Sequence, residues 1–149
     1  MAKCVGYMIT WTTYGTWLQG DERGYVKNGT TLSANDALRY ANQKQQKCQT
    51  VILDSNQRQM AEKAILEEAN RIGQKIFTLV VCSNHVHLVA EATCEPIEQV
   101  VRRYKVVATA AVRKYFPDKI WTKGYDKRFC FSQEDLVSRI CYVERHKDN

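Results

Sequence analysis

A chain of 149 residues, 44% hydrophobic and 26% charged with two prolines, has the make-up of one globular unit able to bury a single core. No apolar run approaches the roughly 20 residues that cross a bilayer, and the opening MAKCVGYMITW lacks the basic leader and cleavage site of a signal peptide, so the expected compartment is the cytoplasm, with no membrane partner. The net charge of +6 sits in one segment: Arg102 to Arg128 holds nine Lys or Arg against Asp118 and Asp126, which is +7 and leaves −1 elsewhere; such a face suits a polyanion, although a solvated charged surface also explains it.

The first element is a strand over KCVGYMITWTT, residues 3–13, rich in aromatic and β-branched side chains. YGTWLQGDERGYVKNGTT follows, a loop punctuated by Gly15, Gly20, Gly24 and Gly29. It carries neither a Walker nor a dinucleotide spacing, and Asp21 and Glu22 read as turn residues before metal supports. Residues 32–54 are polar and glutamine-rich, an insertion of uncertain packing with a short helix expected over 35–43. Asp54 or Ser55 then caps a helix running to Ile72, with Met60, Ala64, Ile65, Ala69 and Ile72 as its apolar stripe and Gly73 as its stop.

KIFTLVVCS and HVHLVAEAT read as two strands joined by a tight turn at Ser83 and Asn84. Pro96 opens a helix expected to run to Pro117. KIWTKGYDKRFCFS is basic and extended or looped. Ser132 caps a last helix, with Asp135 completing an approximate capping box and Leu136, Val137, Ile140, Cys141 and Val143 as a broad apolar stripe. The order approximates β-α-β-β-α-β with a further helix, an α+β fold of ferredoxin-like type with an antiparallel sheet. Six scattered cysteines form no C-x-x-C pair and read as buried reduced thiols.

The chemistry concentrates in the histidines, of which there are three. Alternate side chains of a strand share a face, so His85 and His87 project together, roughly 7 Å apart, and can converge on one ion or one phosphate oxygen. Tyr142 and His146 lie four residues apart in CYVERHKDN, one above the other on a helix. A divalent ion bound by three imidazoles would polarise a phosphate, and a phenol one turn away could attack it. Taken singly, the pair suits a solvent-facing strand, Tyr142 a boundary aromatic and His146 a surface residue. Together they use every histidine in the chain, which favours a site.

HVHLV, RRYKVVATAAVRKYF, WTKGY and SRICYVERH occur in the order found in HUH-type single-tyrosine transposases, and the chain most resembles their REP-associated tyrosine transposase branch, within the IS200-like family. ITWTTYGTWLQGDERG also resembles the start of that group, and the likeness spans most of residues 1–149, which read as one catalytic domain. The resemblance implies an enzyme, often a homodimer, that cuts and rejoins single-stranded DNA near hairpins. It implies Mg²⁺ or Mn²⁺ on His85 and His87, Tyr142 as a nucleophile forming a 5′-phosphotyrosine, and a further metal ligand one turn later. That last position is usually Gln or Asn, and here it is His146, which keeps a ligand. Relatives commonly continue past Asn149 with an Asn-Pro turn, so the terminal helix is expected to be held less firmly.

On this reading Arg102, Arg103, Lys105, Arg113 and Lys114 contact DNA phosphates, though not all from one face of their helix. Lys123, Lys127 and Arg128 extend the track. Trp121, Tyr125 and Phe129, interleaved with these cations, either stack on unpaired bases or anchor loops. Two other readings stay open: a domesticated relative that binds nucleic acid without cutting it, and a metal-dependent phosphodiesterase with water as nucleophile.

Overall fold

The computed structural model describes residues 3–16 and 50–147. The helix expected over 35–43, Asp21, Glu22 and Cys48 lie outside the described residues. Within them the elements are β1 (Gly6–Thr12), α1 (Ser55–Ile72), β2 (Ile76–Val81), β3 (His85–Glu91), α2 (Ile97–Val112), β4 (Asp126–Cys130) and α3 (Gln133–His146). The strands form one sheet in the order β2-β3-β1-β4, and every neighbouring pair is antiparallel. This is the α+β, ferredoxin-like arrangement expected from the order of elements, with α3 added.

Alternation along the strands sorts the side chains into two layers. Tyr7, Ile9 and Trp11 of β1 and Val86, Leu88 and Ala90 of β3 face α1 and α2, where they pack with Ile65, Val100 and Tyr104. Met8 and Val89 face the other way, onto Cys130 and the Leu136 and Val143 side chains of α3. The face of β3 that carries His85 and His87 therefore looks toward α3.

The helix ends follow local chemistry. Asp54 Oδ1 accepts from the Gln57 N–H at 2.8 Å, and Gln57 Oε1 accepts from the Asp54 N–H at 2.9 Å, a reciprocal cap at the start of α1. Gly73 ends that helix at φ 72°, a left-handed conformation that costs glycine little. Ser132 Oγ accepts from the Asp135 N–H at 3.1 Å at the start of α3.

Three expectations need correction. The buried face of α1 is Gln57, Ala61, Ile65, Glu68 and Ala69, so the stripe lies one position round from Ala64. Helix α2 stops at Val112, short of Pro117, because the chain tightens into turns in which Tyr115 N–H donates to Val112 O and Phe116 N–H to Arg113 O. On α3 only Leu136 and Val143 are buried; Val137 and Cys141 are exposed and Ile140 is half-buried. Among the described residues no helix is long and apolar enough to cross a membrane, and Cys4, Cys82, Cys94, Cys130 and Cys141 are free thiols, of which Cys130 is buried while Cys94 and Cys141 are exposed against the expectation of burial.

Candidate metal and tyrosine site

His85 and His87 stand at the start of β3, on the face that α3 covers. The buried positions of α3, Leu136 and Val143, are seven residues apart, and continuing that stripe by three residues reaches His146. Packing of Val143 against the sheet therefore carries His146 over the histidine pair. Tyr142, one turn earlier, falls at the exposed margin of the same helix.

The three imidazoles meet. Their ligand atoms all lie within 4.8 Å of one another. Ring centroids are 4.6 Å apart for His85 and His87 and 4.7 Å for His87 and His146. The Tyr142 ring lies 4.7 Å from His146 and 5.7 Å from His87. Strand and helix, some sixty residues apart in the chain, thus place a phenol beside a cluster of nitrogen donors.

Each imidazole is tied through Nδ1. His85 Nδ1 lies 2.7 Å from Asn84 Oδ1, His87 Nδ1 2.7 Å from Thr10 Oγ1, and His146 Nδ1 2.8 Å from the Tyr142 carbonyl oxygen. Burial holds the His87 pKa down to about 3, with the neighbouring His85 and His146 adding to the effect. Burial, then His146, also lowers that of His85. Both are neutral at pH 7 and keep a lone pair for a cation. Neutral imidazoles with hydrogen-bonded Nδ1 atoms are what a divalent transition metal requires, and Mn²⁺ tolerates such a nitrogen set better than the oxygen-seeking Mg²⁺. The residues fit a metal.

The side chains expected to bind nucleic acid are dispersed. Arg102, Lys105, Trp121, Lys123 and Tyr125 line one open groove of about 630 Å³ between α2 and the segment before β4, together with Lys119, which the sequence reading had not singled out. Arg103 pairs with Glu95 at 2.7 Å, and Arg128 pairs with Asp126 at 3.1 Å. Arg113 donates to the Phe116 and Asp118 carbonyl oxygens, Lys114 lies over Tyr115, and Lys127 over Phe129. Lys105 donates to Gly124 O at 2.7 Å, so it ties the groove wall to α2. Trp121 is buried, donates to Thr109 Oγ1 and meets Trp11 edge to face.

The groove and the histidines occupy different layers and meet at the end of the sheet. Thr122 N–H donates to Thr12 O at 2.9 Å, and Thr12 pairs with His85 across β1 and β3. Thr10 is not singled out by the sequence, and Asn84 only as a turn residue. The neighbour position of Asn84 was a signal for it, whereas Thr10 needed the strand register.

The family model for Transposase IS200 like matches residues 44–146. The solved structure of a REP-associated tyrosine transposase bound to a REP hairpin superposes with a TM-score of 0.60 at 14% identity, covering 97% of this chain and 67% of that one. At that identity the likeness is one of fold. A Deinococcus radiodurans R1 protein assigned as a transposase gives 0.49 at 16% identity, over 97% of this chain and 92% of that one. No curated protein matches the chain.

Proposed function

The chain belongs to the IS200-like transposase family, and from that premise we propose that it cuts and rejoins single-stranded DNA at hairpin-associated sites, with Tyr142 as nucleophile and a divalent cation on His85, His87 and His146. The observation that carries this reading is the meeting of three imidazoles and one exposed phenol on elements remote in sequence.

A bound cation supplies Lewis-acid help to a phosphodiester and stabilises charge developing on its oxygens. The remaining work belongs to the chain. His85, His87 and His146, each tethered through Nδ1, would hold the ion at one point. Tyr142 Oη forms a bond to phosphorus as the P–O3′ bond breaks; the phenolic proton is given up, and the departing 3′ oxygen takes a proton to leave as a hydroxyl. The product is a 5′-phosphotyrosine, which keeps the reactivity of the broken ester. A 3′-hydroxyl can reverse the step without ATP. A protonated phenol is a weak nucleophile, and a cation held on the imidazoles beside Tyr142 would supply its activation.

The polyanion track is proposed to follow Arg102, Lys119 and Lys123 along the α2 groove, with Tyr125 offering a ring to an unpaired base. The groove reaches the histidine end of the sheet, which suits a strand passing from one layer to the other.

The test is incubation with labelled hairpin-flanked single strands and Mn²⁺, read on a denaturing gel. A protein–DNA adduct is expected, and Tyr142→Phe is expected to abolish it. Equal cutting by Tyr142→Phe would remove the nucleophile and favour water in its place. Salt-sensitive binding with no adduct from the parent chain would make it a binding relative only.

A further inference from the structure

We propose that Thr10 and Asn84 are positioning residues, accepting the Nδ1 protons of His87 and His85 so that their Nε2 atoms, with that of His146, face a single cation. This inference rests on the reading that the triad holds a divalent ion. It adds residues outside the triad whose function is to select one protonation geometry.

The argument turns on which atoms can only accept. A carbonyl oxygen has no proton to give, so His146 Nδ1 must donate to Tyr142 O at 2.8 Å, which leaves Nε2 as the one ring nitrogen able to offer a lone pair. Asn84 Oδ1 is likewise an acceptor, so His85 Nδ1 donates at 2.7 Å and its Nε2 is free. Two of the three rings are therefore set by partners that allow one tautomer.

His87 is different, because the hydroxyl of Thr10, at 2.7 Å, can give or accept. This hydroxyl is the partner of His87 Nδ1, and the ring is buried. With a cation at Nε2, the ring proton must sit on Nδ1, and Thr10 Oγ1 is placed to accept it. Without the hydroxyl a buried Nδ1–H would lose its partner, which disfavours the ligating tautomer.

The strand register explains how Thr10 comes to be there. Thr10 of β1 lies directly opposite His87 of β3, and both side chains rise from the α3 face. Asn84 belongs to the turn before β3, whose Cys82 N–H donates to His85 O at 2.8 Å. One partner thus comes from the sheet and one from the hairpin that starts the motif.

The test uses the full chain with Mn²⁺ as probe, by titration calorimetry and by electron paramagnetic resonance. Thr10→Val removes the hydroxyl while keeping the shape, and is expected to raise the Mn²⁺ Kd about 10- to 100-fold. Thr10→Ser restores the hydroxyl and is expected to recover most of the affinity. Asn84→Leu is expected to weaken Mn²⁺ similarly, and Asn84→Asp, which keeps an acceptor, to bind at least as well as the parent. A purely structural role would lower the unfolding temperature of Thr10→Val without moving Kd, and that outcome overturns the proposal.

Nitrogen-15 shifts of the histidine rings in the metal-free protein give a second reading. Protons on Nδ1 of His85 and His146 are expected, and Thr10→Val is expected to move His87 toward the Nε2–H form. Finding Nε2–H on His85 or His146 overturns the proposal directly. Failure of the parent to bind any divalent ion, with the Nδ1–H pattern intact, sinks the metal reading and this inference with it, and is distinct from failure of the tautomer argument.

Discussion

At the scale of the single residue, His87 sets the response to acid. Burial, helped by His85 and His146, holds its pKa down to about 3, against an ordinary value near 6.5. Between those two values the unfolded chain binds a proton that the folded chain refuses. Stability therefore rises with pH through this window and is lost on acidification. From pH 7 to pH 4 the loss is on the order of 3 kcal/mol from this residue, and the lowered pKa of His85 acts in the same direction. Thermal unfolding of the metal-free protein over that range is expected to show the fall, and His87→Gln to flatten it. A parent curve without the slope would mean that the ring is not buried as described. His85, His87, Tyr142 and His146 were all legible as candidates, since H-x-H in a strand and a four-residue helical spacing are local patterns. Thr10 was not, because its link to His87 exists only once β1 and β3 have paired in register. A threonine in a strand is too common for its chemistry to be visible in isolation.

At the scale of the element, α3 decides whether a site exists at all. It lies over the sheet through Leu136 and Val143, and Thr78 Oγ1 donates to Glu144 Oε1 at 2.7 Å to tie its last turns to β2. A register shift between Ile76 and Thr78 accompanies that tie. The approach is close at Gly6, where an added Cβ would meet Ala90 O at 2.7 Å and Leu136 Cδ1 at 2.9 Å. The first of these is backbone and cannot swing aside. Gly6→Ala is therefore expected to cost about 1–3 kcal/mol in denaturant unfolding. It is also expected to speed amide exchange in α3 more than in β2, because α3 meets the added methyl directly while β2 lies one strand away. Equal acceleration in both would show the helix to be as tightly held as the strands. The caps that begin α1 and α3 were readable from Asp54 and Ser132. The breadth of the α3 stripe was not: one helix on a flat sheet buries a narrow band, so Val137 and Cys141 stay in solvent although both are apolar. The early end of α2 was hidden for a related reason, since Arg113 donates to the carbonyl oxygens of Phe116 and Asp118, beyond the helix end.

At the scale of the whole molecule, the sequence revealed an excess of cations but not which were free. Folding assigns Arg103 to Glu95, Arg128 to Asp126, Arg113 to backbone carbonyls and Lys105 to the groove wall. Arg102 and Lys123 stand exposed on the groove, so the cations placed to meet a polyanion there are fewer and more local than a count of residues 102–128 suggests. Counterion release converts this into a measurement. Each phosphate contact on a single strand contributes about 0.7 to the slope of log K against log salt. Arg102→Ala and Lys123→Ala are each expected to flatten that slope by roughly this amount in anisotropy titrations with labelled single strands. Arg103→Ala is expected to leave the slope unchanged, because its guanidinium is held by Glu95 and does not line the groove, and to change stability little, since that ion pair is partly exposed. The contrast between neighbours one residue apart on α2 is the informative result. If Arg103→Ala flattens the slope as much as Arg102→Ala, the DNA lies across another face of α2. The groove would then no longer connect the bound strand to the histidine end of the sheet.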